Sequence, residues 1–135
     1  MDFSLHPRLE ADSLGVLSLA QCDIRLVNDS RYLWLLAIPR VANIVEWHDL
    51  PADIGRAIFD ETRLVSLWAK DYARADKMNI ATLGNQVAQL HIHIIARHKT
   101  DAAWPNPVWG VGQASAYDDE SRDKILHDCR SGLSG

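Results

Sequence analysis

Asn85-Gln86-Val87-Ala88-Gln89-Leu90-His91-Ile92-His93-Ile94-Ile95-Ala96-Arg97 decides how this chain is read. In a strand, side chains alternate between faces. A strand over Val87 to Ile95 turns Leu90, Ile92 and Ile94 toward a core and sets Gln89, His91 and His93 in a row on the other face. Glutamine and histidine fill a sheet face poorly unless solvent or hydrogen bonds satisfy them. Such a row therefore asks for a purpose.

Upstream, Leu14 to Leu19, Ile24 to Val27 and Leu33 to Ile38 are short apolar runs of strand length. Asn28-Asp29-Ser30 separates the last two as a turn, and links this short allow only antiparallel pairing. Asp49-Leu50-Pro51 opens a helix, with Asp49 as its cap and Pro51 in its first turn. Ile54, Ile58, Val65, Trp68 and Tyr72 then recur at helical spacing, predicting one long helix over residues 50–73. Met78 to Leu83 reads as a strand that turns through Gly84-Asn85 into the histidine strand. Pro105 and Pro107 confine Trp104 to Gly110 to a rigid loop. Asp118 to Arg130 predicts a short C-terminal helix, acidic at its start, and Ser131 to Gly135 a frayed tail. The expected fold is α+β: a mainly antiparallel sheet with one long helix and a short C-terminal helix gathered on one face.

The chain has 135 residues, 47% of them hydrophobic and 24% charged, which suits a single domain over residues 1–135 with its own core. Fourteen Lys and Arg against 18 Asp and Glu leave a net charge of −4. This balance argues against a protein that grips long nucleic acid, yet it permits a local site for a small anion. Cys22 and Cys129 stand in no metal-ligand spacing and read as buried free thiols. The strongest apolar run, Leu33 to Ile38, is far too short to span a bilayer, and no targeting segment is seen, so a cytoplasmic protein without a membrane partner is expected.

Three readings compete for the histidine row. It is a solvated sheet face; or His91 and His93 hold a metal with a third ligand from His98, His127 or a carboxylate; or an imidazole does nucleophilic or acid–base chemistry. Imidazole near its natural pKa attacks phosphorus well and departs from it well. The Gly84-Asn85-Gln86 turn offers amides to an anion.

The segment resembles the signature of the histidine triad (HIT) superfamily, in which three histidines alternate with hydrophobic residues. The leading meander, Ile38-Pro39-Arg40, Trp47-His48-Asp49-Leu50, Asn79 and Trp109-Gly110 extend the likeness over about residues 14–110. The resemblance implies that His91 attacks the α-phosphorus of a nucleotide conjugate and that His93 hydrogen-bonds the phosphate and fixes the geometry. Gln89 replaces the first histidine. Its amide donates hydrogen bonds but delivers no proton near neutral pH. Gln86 falls where a family side chain reaches a phosphate oxygen, and an exposed turn explains it too. Asn79 approximates a pocket asparagine. Asn28 or Asp29 takes the ribose-contacting place, where a plain turn serves nearly as well, and Trp109 either lines the cleft or pins its loop.

The implied function is a hydrolase or nucleotidyl transferase acting on a nucleotide conjugate, such as a dinucleoside polyphosphate, through a nucleotidyl-His91 intermediate. A nucleotide-binding protein with little turnover is the alternative, and a metal-binding module a weaker one. No metal is required, although Mg2+ can accompany a polyphosphate. The resemblance also implies a homodimer joined at the long helix and sheet edge, with Trp47 or Trp68 taking part.

Overall fold

In the computed structural model, which describes residues 2–134, a five-stranded sheet runs in the order β1-β2-β3-β5-β4 with every neighbouring pair antiparallel. The strands are β1 Ser13–Ser18, β2 Cys22–Val27, β3 Leu33–Pro39, β4 Lys77–Ala81 and β5 Ile92–Arg97. The meander and the α+β class follow the sequence expectation. The histidine strand is shorter than expected. It starts at Ile92, because its neighbours offer backbone partners only from Ala37↔Ile92 and Ala81↔His93 onward. Residues 87–91 approach as an irregular lead-in, and Leu90 donates its amide to the Ile44 carbonyl outside the ladder.

The long helix, α2, spans Ala52–Ala73. It buries Ile58, Val65 and Ala69 against Leu35, Ala37, Ile92 and Ile94 on one sheet face. Asp49 does not cap it. Its carboxylate accepts from Glu46 N at 2.9 Å within a separate 3-10 turn, Trp47–Asp49, and Pro51 takes the cap position of α2. The C-terminal helix, α3, runs Asp119–Leu133 and is capped by Asp118, whose side chain accepts from Ser121 N. It extends past Arg130 into the expected tail because Leu133 finds the core; Gly135 lies outside the described residues. Trp68 stacks on Tyr72 at 4.8 Å and fills the space beside Gly132, where any added Cβ would collide with the indole. Trp68 thus joins α2 to α3.

One helix was not foreseen. Pro7–Asp12 forms α1, with Pro7 in the first turn and the His6 ring accepting the Arg8 amide. Leu9 packs with Leu36, Ile38 and Val87 on the sheet face opposite α2. The helices therefore do not all gather on one side. Among the described residues, no helix is long and apolar enough to cross a membrane.

Strand β5 ends on Arg97, which is 2% exposed. Its guanidinium meets Asp101 in two bonds of 2.8 and 3.0 Å, and donates to Asn79 Oδ1 and the Asn106 carbonyl. Asp101 also accepts from the His98 and Trp104 amides. Those bonds, Arg97's above all, hold the Asp101 carboxyl down at about 2. This cluster fastens the loop that carries Trp109. Removing one partner strands the other charge in the interior, so Asp101→Ala is expected to lower unfolding free energy by about 3–5 kcal/mol. Urea denaturation checks this; a loss below about 1 kcal/mol would make the pair an ordinary surface bridge.

Candidate active site

On the sheet face away from α2, His91 and His93 line a cavity of about 330 Å³. Its apolar wall is built from Leu9, Val27, Trp34, Leu36, Val87 and Trp109. Strand pairing sets His93 opposite Leu36, and the Gly84–Gln86 turn closes the mouth. Gly84 must be glycine for a steric reason: a Cβ there would sit 2.7 Å from the Val87 carbonyl oxygen.

Both ring nitrogens of His93 are engaged. Trp34 Nε1–H donates to Nδ1 at 3.0 Å, so the proton stands on Nε2 and goes to the Leu83 carbonyl at 3.0 Å. Burial pushes the His93 pKa down to about 4, partly offset by the bond to Leu83. The ring is thus a fixed neutral wedge, with neither nitrogen free for the expected phosphate bond. Trp109 meets it edge to face at 5.0 Å, and His91 does so at 4.8 Å.

His91 differs in one respect. Its Nδ1–H donates to the Gln89 carbonyl at 2.7 Å, leaving the Nε2 lone pair without a protein partner among the described residues. Burial lowers its pKa too; the bond to Gln89 opposes this and His6 nearby adds to it. Near neutral pH the ring is an unprotonated base with a set tautomer. Oriented this way, it can attack an electrophile entering the cavity.

The other expected residues divide. Gln86 and Trp109 line the cavity. Asn79 stands on β4 with its carbonyl oxygen given to Arg97. Asn28 accepts from the Tyr117 amide, while buried Asp29 pairs with Arg31 at 2.9 Å and accepts from the Ser115 amide. Both fasten the segment leading to α3, and neither lines this cavity. The Gln89 side chain is bonded at both ends of its amide to Ser4 and His6. Among the described residues, no three His, Cys, Asp or Glu converge as a metal would need.

Sequence reasoning missed Trp34, Leu36, Leu83 and the residues of α1. Trp34 and Leu36 share a face of β3, and strand pairing across to His93 was the signal that could have found them. Leu83 acts through its backbone, which its side chain does not reveal.

The chain matches the HIT domain family over residues 8–100. It is similar to the crystal structure of a histidine triad protein from Bradyrhizobium japonicum, 40% identical, over 98% of this chain and 99% of that one, with a TM-score of 0.96. A histidine triad protein from Sinorhizobium meliloti is 38% identical over 96% of both chains, TM-score 0.93. One from Marinobacter aquaeolei is 36% identical over 99% of this chain and 98% of that one, TM-score 0.97. No functionally curated protein matches the chain.

Burial of neutral His93 ties stability to pH. Its folded pKa, about 4, lies below the ordinary 6.5, so the unfolded chain binds the proton first. The stabilisation is complete above 6.5 and is lost as pH falls through that window toward 4, amounting to about 3 kcal/mol. Urea titrations at pH 7 and pH 4 should show wild type losing about that much more than His93→Gln; parallel losses would mean His93 titrates normally.

Proposed function

We propose, for a chain that belongs to the HIT-domain family, that His91 is the nucleophile of a hydrolase or nucleotidyl transferase cleaving nucleotide conjugates at the α-phosphate. Members of this family generally act as nucleotide hydrolases or transferases. The observation that carries the reading is the His91 ring itself: Nδ1–H is anchored to the Gln89 carbonyl, Nε2 is left without a protein partner among the described residues, and the ring lines a cavity of about 330 Å³.

In the first step Nε2 attacks the α-phosphorus; the P–N bond forms as the bond to the leaving group breaks and its electron pair departs with that group. Positive charge grows on the ring and is met by the Gln89 carbonyl at 2.7 Å. In the second step water attacks phosphorus, the P–N bond breaks with its electron pair returning to Nε2, and the proton lost by the water passes to solvent. His93, itself backed edge to face by Trp109, meets the His91 ring edge to face and holds its orientation, while the apolar wall receives the base. Gln86 and the turn amides meet the phosphate oxygens.

Gln89 offers no titratable proton, and its amide is already bonded to Ser4 and His6. Leaving groups stable without protonation, such as a polyphosphate, are therefore favoured, and Mg2+ would travel with such a substrate. The same observation favours a second reading, a nucleotide-binding protein with little turnover. The thiols of Cys22 and Cys129 are both buried and free, in keeping with a reducing, cytoplasmic setting.

A homodimer belongs to this proposal. Trp47, Phe59, Leu67 and Ile80 line a groove of about 530 Å³ between α2 and the edge strand β4, and all four are exposed. Open strand edges beside apolar surface invite a second copy. Light scattering should give twice the chain mass for wild type and the single mass for Leu67→Glu with Ile80→Glu; an unchanged mass would move the contact elsewhere.

Mass-detected release of nucleoside monophosphate tests the chemistry. A dinucleoside polyphosphate, an adenylylated amine and an adenylylated sulfate are offered to wild type and His91→Ala. Release from the polyphosphate by wild type, with at least a thousandfold loss in the variant, is expected, roughly what loss of a covalent nucleophile costs. Saturable binding without release would select the second reading.

A further inference from the structure

The amide of Gln89 is used at both ends. Its Oε1 accepts the His6 amide at 2.9 Å, and its Nε2 donates to the Ser4 carbonyl at 2.8 Å. A primary amide presents donor and acceptor side by side, which suits the backbone of a passing chain. A neutral histidine has one donor and one acceptor on opposite sides of its ring, and a carboxylate would repel the Ser4 carbonyl. Beyond the pairing, the His6 ring accepts the Arg8 amide and starts α1, and Leu9 is buried beside Leu36 and Val87. This path brings Arg8 to the wall of the cavity that holds His91 and His93.

We propose that Gln89 latches the N-terminal arm, residues 2–12, over the histidine face, and that Arg8 on this arm is the cation that holds the substrate's phosphate. The inference rests on the nucleotide reading above and adds to it a residue outside the triad. Charge makes the case. A phosphodiester α-phosphate carries a negative charge, and the protein as a whole is at −4. His91 and His93 are neutral at pH 7, and so is Gln89. Among the described residues, Arg8 is the only Lys or Arg lining the cavity; Asp12, the one carboxylate that lines it too, is the partner that Arg8 must leave to take a phosphate.

Arg8 is also available. Its partner Asp12 lies 3.6 Å away with both side chains more than half exposed, a pairing of little strength that a phosphate can displace. By contrast Arg31, Arg40 and Arg97 are each held by a carboxylate within 2.9 Å. A guanidinium can grip two phosphate oxygens at once. Gln89 is then a positioning residue, acting on the phosphate through the arm.

Equilibrium binding of adenosine monophosphate and of adenosine by calorimetry tests this without requiring turnover. Arg8→Ala should weaken the monophosphate about tenfold at low salt, with the deficit shrinking as salt rises, and leave adenosine unchanged. Arg8→Lys should recover part of the loss. Gln89→Ala should speed hydrogen exchange at the His6 amide and weaken the monophosphate similarly, and the double variant should be no worse than either single one. Equal monophosphate affinity in wild type and Arg8→Ala overturns the assignment of Arg8. A Gln89→Ala protein with its His6 amide still protected overturns the latch. Wild type that binds neither probe removes the nucleotide reading, and the inference with it.

Discussion

Strand β5 is buried on both faces along its whole length, yet one face carries His93 and Arg97. Everything else in the structure answers that constraint. A buried polar group left unpaired costs about 1–3 kcal/mol, and a buried charge more. His93 spends both nitrogens on Trp34 and Leu83; Arg97 divides its donors among Asp101, Asn79 and Asn106. The opposite face, Ile92 and Ile94, is ordinary core beneath α2. One strand thereby anchors the hydrophobic interior and displays a polar row whose members are immobilised. His91, just before the strand begins, commits Nδ1 to the Gln89 carbonyl and keeps Nε2 uncommitted among the described residues.

The glutamine in the row changes the character of the site more than its size suggests. An imidazole at that place would add a group able to carry charge beside the leaving group. The amide adds none, and it recruits backbone instead. The N-terminal arm that it holds also supplies Leu9 and Arg8 to the cavity wall. In the proposed reaction, proton supply has been exchanged for a covering segment and a permanently charged guanidinium. That exchange suits a leaving group that needs no proton.

Much of this was legible in the sequence. The meander, the long helix and the alternation of Leu90, Ile92 and Ile94 against the histidines are period-2 and period-3.6 patterns, and burial of one face enforces them. The length of the histidine strand was not legible, since it is set by where pairing with β3 and β4 ends, at Ala37↔Ile92 and Ala81↔His93. Nor was the fate of Asn28, Asp29 and Asn79, polar residues whose partners Tyr117, Arg31 and Arg97 are chosen by tertiary contact. Helix α1 escaped because its six residues bury only Leu9, too little for periodicity to register. Its His6-Pro7 start was the remaining local sign.

Burial of the histidines has a consequence for both halves of the proposed chemistry. Lowered basicity favours the unprotonated form of His91 Nε2, the form that attacks. It also makes the imidazole a better leaving group when water displaces it, since a weaker base departs more easily. The cost falls on nucleophilic strength and on stability in acid, where the buried neutral rings resist the protons that the unfolded chain accepts. A nucleophile that must also leave is best placed between these demands. Partial burial, offset by one carbonyl bond at Nδ1 and reinforced by nearby His6, sets that balance.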